Sequence, residues 1–189
     1  MDMFNYVMVL ASVIIGLGVT HLLHGIGGIV QHPKREKLYW VHLLWVAAIF
    51  LRAIFWWGFE FRLSSIPVWT FTLFLFVLAY AFLIFLWCAL LFPRDLAGYD
   101  GFKDYFYSRR RWFFGLLLAG QVIDVADTLL KGMTHFRSLG PSYLVSIVAL
   151  SALLVIAMRT RNERFHGALA IFSVVYLLAY PWLVFDTVG

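Results

Sequence analysis

Five polar residues, Gln121, Asp124, Asp127, Thr128 and Lys131, interrupt an apolar stretch, GLLLAGQVIDVADTLLKG, at 115–132. At 100° per residue they fall within a sector of about 120° on one helix face. A helix that enters hydrocarbon keeps carboxylates for a limited set of reasons. They pair with cations and fix helix packing, they bind a ligand, or they take up and release a proton or small cation.

A second apolar segment, YWVHLLWVAAIFLRAIFWWGFEFR at 39–62, carries His42, Arg52 and Glu60 within about 80° of each other. Depth suggests how the two stripes meet. Arg52 and Asp124 each lie 12 residues beyond a tryptophan, Trp40 and Trp112. That places both about 18 Å along their helices, near mid-membrane. Glu60 and Lys131 lie 20 and 19 residues beyond the same tryptophans. Depth and sign therefore pair Arg52 with Asp124 and Glu60 with Lys131, and make the two helices neighbours. One Arg for two Asp leaves a remainder, most simply Asp127, which must hold a proton or find another partner. Gln121 and Thr128 support this stripe.

Helix one adds Gly16, Thr20, His24 and Gly28 at four-residue spacing, a small-residue ridge of the kind along which membrane helices approach closely. His21 and His24 share a face, and His42 lies at a similar level. These three imidazoles line a cytoplasmic entrance to the polar face or bond between helices. A metal or a haem between them is the alternative, but no CxxCH attaches a haem, and no resident cofactor is expected. His32, His135 and His166 fall in loops and are expected to be solvated.

The elements that carry these residues follow from composition. Of 189 residues, 63% are hydrophobic and 13% charged, with a mean hydropathy of +0.87. Soluble domains are about a quarter charged, so the chain belongs in a membrane. Six segments have the roughly 20 apolar residues that cross hydrocarbon: 4–30, 39–61, 67–92, 112–133, 141–159 and 167–186. The start, MDMFNYVMVL, lacks a basic region and a small-residue cleavage site, and reads as the beginning of a permanent helix. The expected fold is all-α, one integral membrane bundle of six transmembrane helices over 1–189. The halves show no sequence echo of an inverted repeat.

Eleven Lys and Arg lie in the first, third and fifth loops, against three in the second and fourth. That bias puts the odd loops in the cytoplasm and both termini outside, as in a protein of a bacterial inner membrane. It also explains the formal charge of +5 without nucleic acid as a partner. The third loop, 93–111, mixes Arg94, Lys103, Arg109, Arg110 and Arg111 with Tyr99, Phe102, Tyr105, Phe106 and Tyr107. It reads as a segment lying at the interface, anchoring helix four or sensing lipid or a partner.

The remaining polar residues read as packing. Ser142, Ser146 and Ser151 bond backbone carbonyls, Tyr176 and Tyr180 share a face before a bend at Pro181, and FWWGFEF forms an outer aromatic belt. Cys88 is a lone thiol, so no disulfide forms within the chain. The sequence has no HExxH, GxSxG, P-loop or Rossmann glycine pattern, which argues against an enzyme. The function expected is a small proton or cation channel or transporter, with membrane lipids around it and copies of itself as partners. Its alternative is a non-catalytic subunit or scaffold of a larger membrane complex.

Overall fold

The computed structural model describes residues 3–32, 37–66 and 68–184, the last five of them by their helix alone. All regular structure among them is helical: α1 (Met3–Gln31), α2 (Trp40–Glu60), α3 (Phe71–Ala89), α4 (Phe102–Leu130), the short α5 (Met133–Ser138), α6 (Gly140–Arg159) and α7 (Glu163–Val184), with a 3-10 turn at Phe61–Ser65. Five helices are long and apolar enough to cross a membrane: α1, α2 with its 3-10 turn, α3, α4 and α6. The sixth expected span falls on α7, and its side chains from 180 onward, Tyr180 and Pro181 included, lie outside the described residues. So do Lys34 and Arg35 of the first basic loop.

Local chemistry sets the helix ends. Thr70 Oγ1 accepts from Leu73 N at 3.2 Å and starts α3, and Asn162 Oδ1 accepts from Arg164 N at 3.0 Å and starts α7. Gly101, at φ +90°, turns the chain into α4 where a Cβ would stand 2.9 Å from the Lys37 carbonyl oxygen. The same carbonyl accepts from Phe102 N at 3.1 Å, tying the start of α4 to the start of α2.

α1 runs parallel to α3, since Phe4 meets Trp69, Gly18 meets Phe85 and Gly25 meets Phe92. α4 and α6 are antiparallel, with Gly115 beside Met158 and Asp124 bonded to Tyr143. α2 lies along α7, where Gly167 leaves room for the Trp40 ring. α2, α3 and α4 join these pairs at the centre of the bundle. Lys37, Arg94, Lys103, Arg109, Arg110, Arg111, Arg159, Arg161 and Arg164 gather at one end, hereafter the basic end. Lys103 and Glu163 bridge there at 2.6 Å. Glu60, Arg62, Lys131 and His135 lie at the opposite end.

The small-residue ridge Gly16–Thr20–His24–Gly28 faces outward, and within the bundle the close approach of α1 to α3 uses Gly18 and Gly25. Two expectations are corrected. The segment 102–111 is not part of a connecting loop but the first turns of α4. Phe102, Tyr105 and Phe106 are buried, and Phe102 stacks on His42 at 4.7 Å between centroids. His166 is buried rather than solvated, stacked on Phe114 with its Nε2 3.2 Å from the Thr160 carbonyl.

The histidines at the basic end have a structural use. Beyond the last turn of α3, three successive carbonyls have no helical partner, and side chains meet each one. Tyr105 donates to Leu90 O at 2.8 Å, His42 Nε2 to Leu91 O at 2.6 Å and His21 Nε2 to Phe92 O at 2.9 Å. Where no water reaches, an unmet carbonyl costs free energy directly. His42→Phe keeps the volume but leaves Leu91 O unbonded, and should lower stability to denaturation in detergent by about 1–3 kcal/mol. His24→Ala, on an exposed site, should change it by less than about 0.5 kcal/mol. Equal effects from the two substitutions would refute the capping role.

Candidate functional site

The charged residues that the helices bring together lie where α2 ends and α4 ends. Glu60 is the last residue of α2, and Lys131 follows the last turn of α4. An ammonium suits that position because the helix dipole is negative at its C-terminus. Lys131 Nζ lies 3.2 Å from Glu60 Oε2, the pair expected from depth and sign. It also donates to Asp127, one turn back on the same helix. Asp127 is therefore not the unpaired carboxylate. It shares one lysine with Glu60.

All three side chains are almost wholly shielded, Glu60 being 1% exposed. Asp127 Oδ1 has no hydrogen-bond donor among the described residues, while Glu60 Oε2 meets the Lys131 ammonium. Two carboxylates and one ammonium, if all ionised, leave this enclosed cluster with a surplus negative charge.

One turn deeper, Asp124 Oδ2 accepts from the Tyr143 hydroxyl at 2.9 Å. Thr128 Oγ1 donates to the Asp124 carbonyl at 2.8 Å and lies 3.1 Å from the Tyr143 oxygen. Gln121 is buried on the same face. Tyr80 of α3 packs edge-on against Trp56 at 5.9 Å. At the outer edge Arg62 Nη1 donates to His135 Nδ1 at 3.2 Å. That bond needs a neutral imidazole, and burial together with Arg62 and Lys131 holds the His135 pKa below its usual value.

Arg52 does not join Asp124. It makes no ion pair among the described residues, and its guanidinium lies over the Trp87 ring at 5.4 Å. Trp87 also packs against Gly120, so α3 inserts its indole between α2 and α4 at this depth. The cation is held by a π face, an interaction worth about 0.5–2 kcal/mol. Trp87, Trp45 and Phe114, all buried, continue the bundle toward the basic end.

His21, His24 and His42 do not form a common site. His21 and His42 cap α3, and His24 is exposed on α1. Among the described residues no group of three His, Cys, Asp or Glu is placed to hold a metal ion.

Tyr143 and Tyr80 were not singled out by sequence. The signal for Tyr143 is the short link between α4 and α6, which folds position 143 back onto 124–128. Tyr80, on a helix apolar on all sides, carries no comparable signal.

Among the described residues the lysine is the sole cation touching the carboxyl pair. Lys131→Met should therefore destabilise the protein by about 3–5 kcal/mol in detergent denaturation. The triple variant Glu60→Gln, Lys131→Met, Asp127→Asn should recover most of that loss. A single variant as stable as wild type would contradict a buried, mutually dependent cluster. Comparison of the chain with protein-family models, curated proteins and solved structures finds no match in any of the three.

Proposed function

We propose that the protein is a six-span membrane protein that passes protons, or a small cation, and that the Glu60–Lys131–Asp127 cluster is its exchange site. One observation carries the reading: two shielded carboxylates share a single ammonium. Neutrality of that cluster requires one further positive charge, and a proton is the smallest means of supplying it. Loss of that proton leaves an enclosed charge, so uptake and release alternate between two states of different electrostatic energy.

In this reading Asp124, Tyr143 and Thr128 extend the site inward by hydrogen bonds, with Gln121 beyond them. Arg62 and His135 stand at its mouth. Trp87, Trp45 and Phe114 close the other side, which favours a gated carrier over an open pore. The basic end lies in the cytoplasm by the bias of Lys and Arg, with the termini outside, as in a bacterial inner membrane. Copies of the chain assemble along the outward ridge of α1.

That ridge also favours the second reading, a non-catalytic subunit of a larger membrane complex. Gly16, Thr20, His24 and Gly28 are small or polar residues facing away from the bundle, a surface suited to another transmembrane helix. The ion pairs would then serve packing alone.

Purified protein in liposomes with a trapped pH-sensitive dye separates the readings. The wild type should collapse an imposed proton gradient. Glu60→Gln and Asp127→Asn should each slow that collapse by about 100-fold, the scale of one proton-transfer group. Unchanged rates in both variants would end the exchange-site reading. A wild type no faster than empty liposomes would favour the subunit.

A further inference from the structure

Outside this cluster, the basic end carries a groove of about 490 Å³ lined by Arg94, Asp95, Tyr99, Tyr105, Arg109 and Trp112, among others. We infer that this groove holds the headgroup of a monoanionic glycerophospholipid of the leaflet at the basic end.

The groove is graded as a lipid is graded. Arg109 and Trp112 are three residues apart on one face of α4, and Trp112 lies about 4.5 Å further along the helix axis toward the apolar segment. Its indole is 68% exposed and offers a flat apolar wall to a glycerol backbone and acyl chain. Above it, Arg109 Nη2 donates to the Tyr99 hydroxyl at 2.8 Å, which orients the guanidinium and leaves the hydroxyl hydrogen for a phosphate oxygen. Tyr99 is itself braced edge-on against Tyr105 at 5.2 Å, and Tyr105 is fixed by its bond to Leu90 O. Arg94 faces solvent and makes no ion pair among the described residues.

Charge sets the class of lipid. Arg94 and Arg109 against Asp95 leave a net charge of about +1, which matches one phosphodiester. Asp95 Oδ1 already accepts from Ala97 N at 2.9 Å, and its other oxygen is an acceptor for a hydroxyl on the headgroup. A glycerol headgroup supplies both the single negative charge and the hydroxyls. A choline headgroup carries the same phosphodiester but cancels its charge with a quaternary ammonium, and it offers no hydroxyl.

Native mass spectrometry of the full-length protein in detergent tests this with phosphatidylglycerol and phosphatidylcholine of matched chains. The wild type should retain one phosphatidylglycerol with a preference of about 30-fold, the effect of two arginines near a membrane surface. Arg94→Gln with Arg109→Gln should bring that preference near unity, whereas Arg159→Gln with Arg164→Gln, at the same end but outside the groove, should leave it. If the groove pair fails to fold, Arg94→Gln alone carries the test and should lose about fivefold. Equal retention of the two lipids, or a preference that survives the groove substitutions, overturns the inference. So does displacement of the lipid by inorganic phosphate at equal concentration, which would mark a simple anion site.

Discussion

A charged amine enclosed among apolar helices must be neutralised within hydrogen-bonding distance, because no water is there to do it. Lys131 is that amine, and the end of the bundle opposite the basic end is arranged around it. Glu60 reaches it from α2 and Asp127 from the preceding turn of α4. The requirement sets the approach of α2 to α4 at that end, and with it the space that α3 must fill. Trp87 fills it lower down, taking Arg52 on its ring and Gly120 at its edge. At the basic end the same rule acts on backbone rather than side chains, where Tyr105, His42 and His21 meet three carbonyls in sequence.

Much of this is legible in the sequence, and the parts that are not share a cause. Depth along a helix follows from counting residues, so Glu60 and Lys131 could be matched at one level. Position around the bundle does not follow from counting. Arg52 and Asp124 share a level by counting, yet the Trp87 indole of α3 takes up Arg52 and packs at Gly120 of α4. The Asp127–Lys131 contact follows from the spacing of four, and it shares the lysine with the Glu60 pairing that depth and sign favour. The start of α4 was likewise visible: Phe102, Tyr105, Phe106 and Phe113 recur at helical spacing and are the buried face. The density of arginines among them drew that segment to the interface instead. Hydrogen bonds between helices are one of the two uses expected of His21 and His42, and both make them; that their acceptors are the irregular carbonyls beyond α3 has no sequence signature.

The two ends of the molecule thus handle charge in opposite ways. At one end a few charges are enclosed and must balance among themselves. At the other many cations are exposed, and counter-charge comes from Glu163, Asp100 and, on the inference above, a lipid phosphate. A proton carrier of this build would be anchored at the basic face and would do its exchange at the far one. Its enclosed cluster gains from being small, since one added proton changes the net charge of the whole site.

Whether that cluster holds a proton at neutral pH is what infrared spectroscopy of the protein reconstituted in lipid reads most directly, through the C=O stretch of a protonated carboxyl group. Two carboxylates sharing one lysine predict such a band in the wild type, abolished or shifted by either Glu60→Gln or Asp127→Asn. A spectrum with no protonated-carboxyl band sensitive to those substitutions would mean that the cluster stays fully ionised, and would contradict an exchange site built on its missing charge.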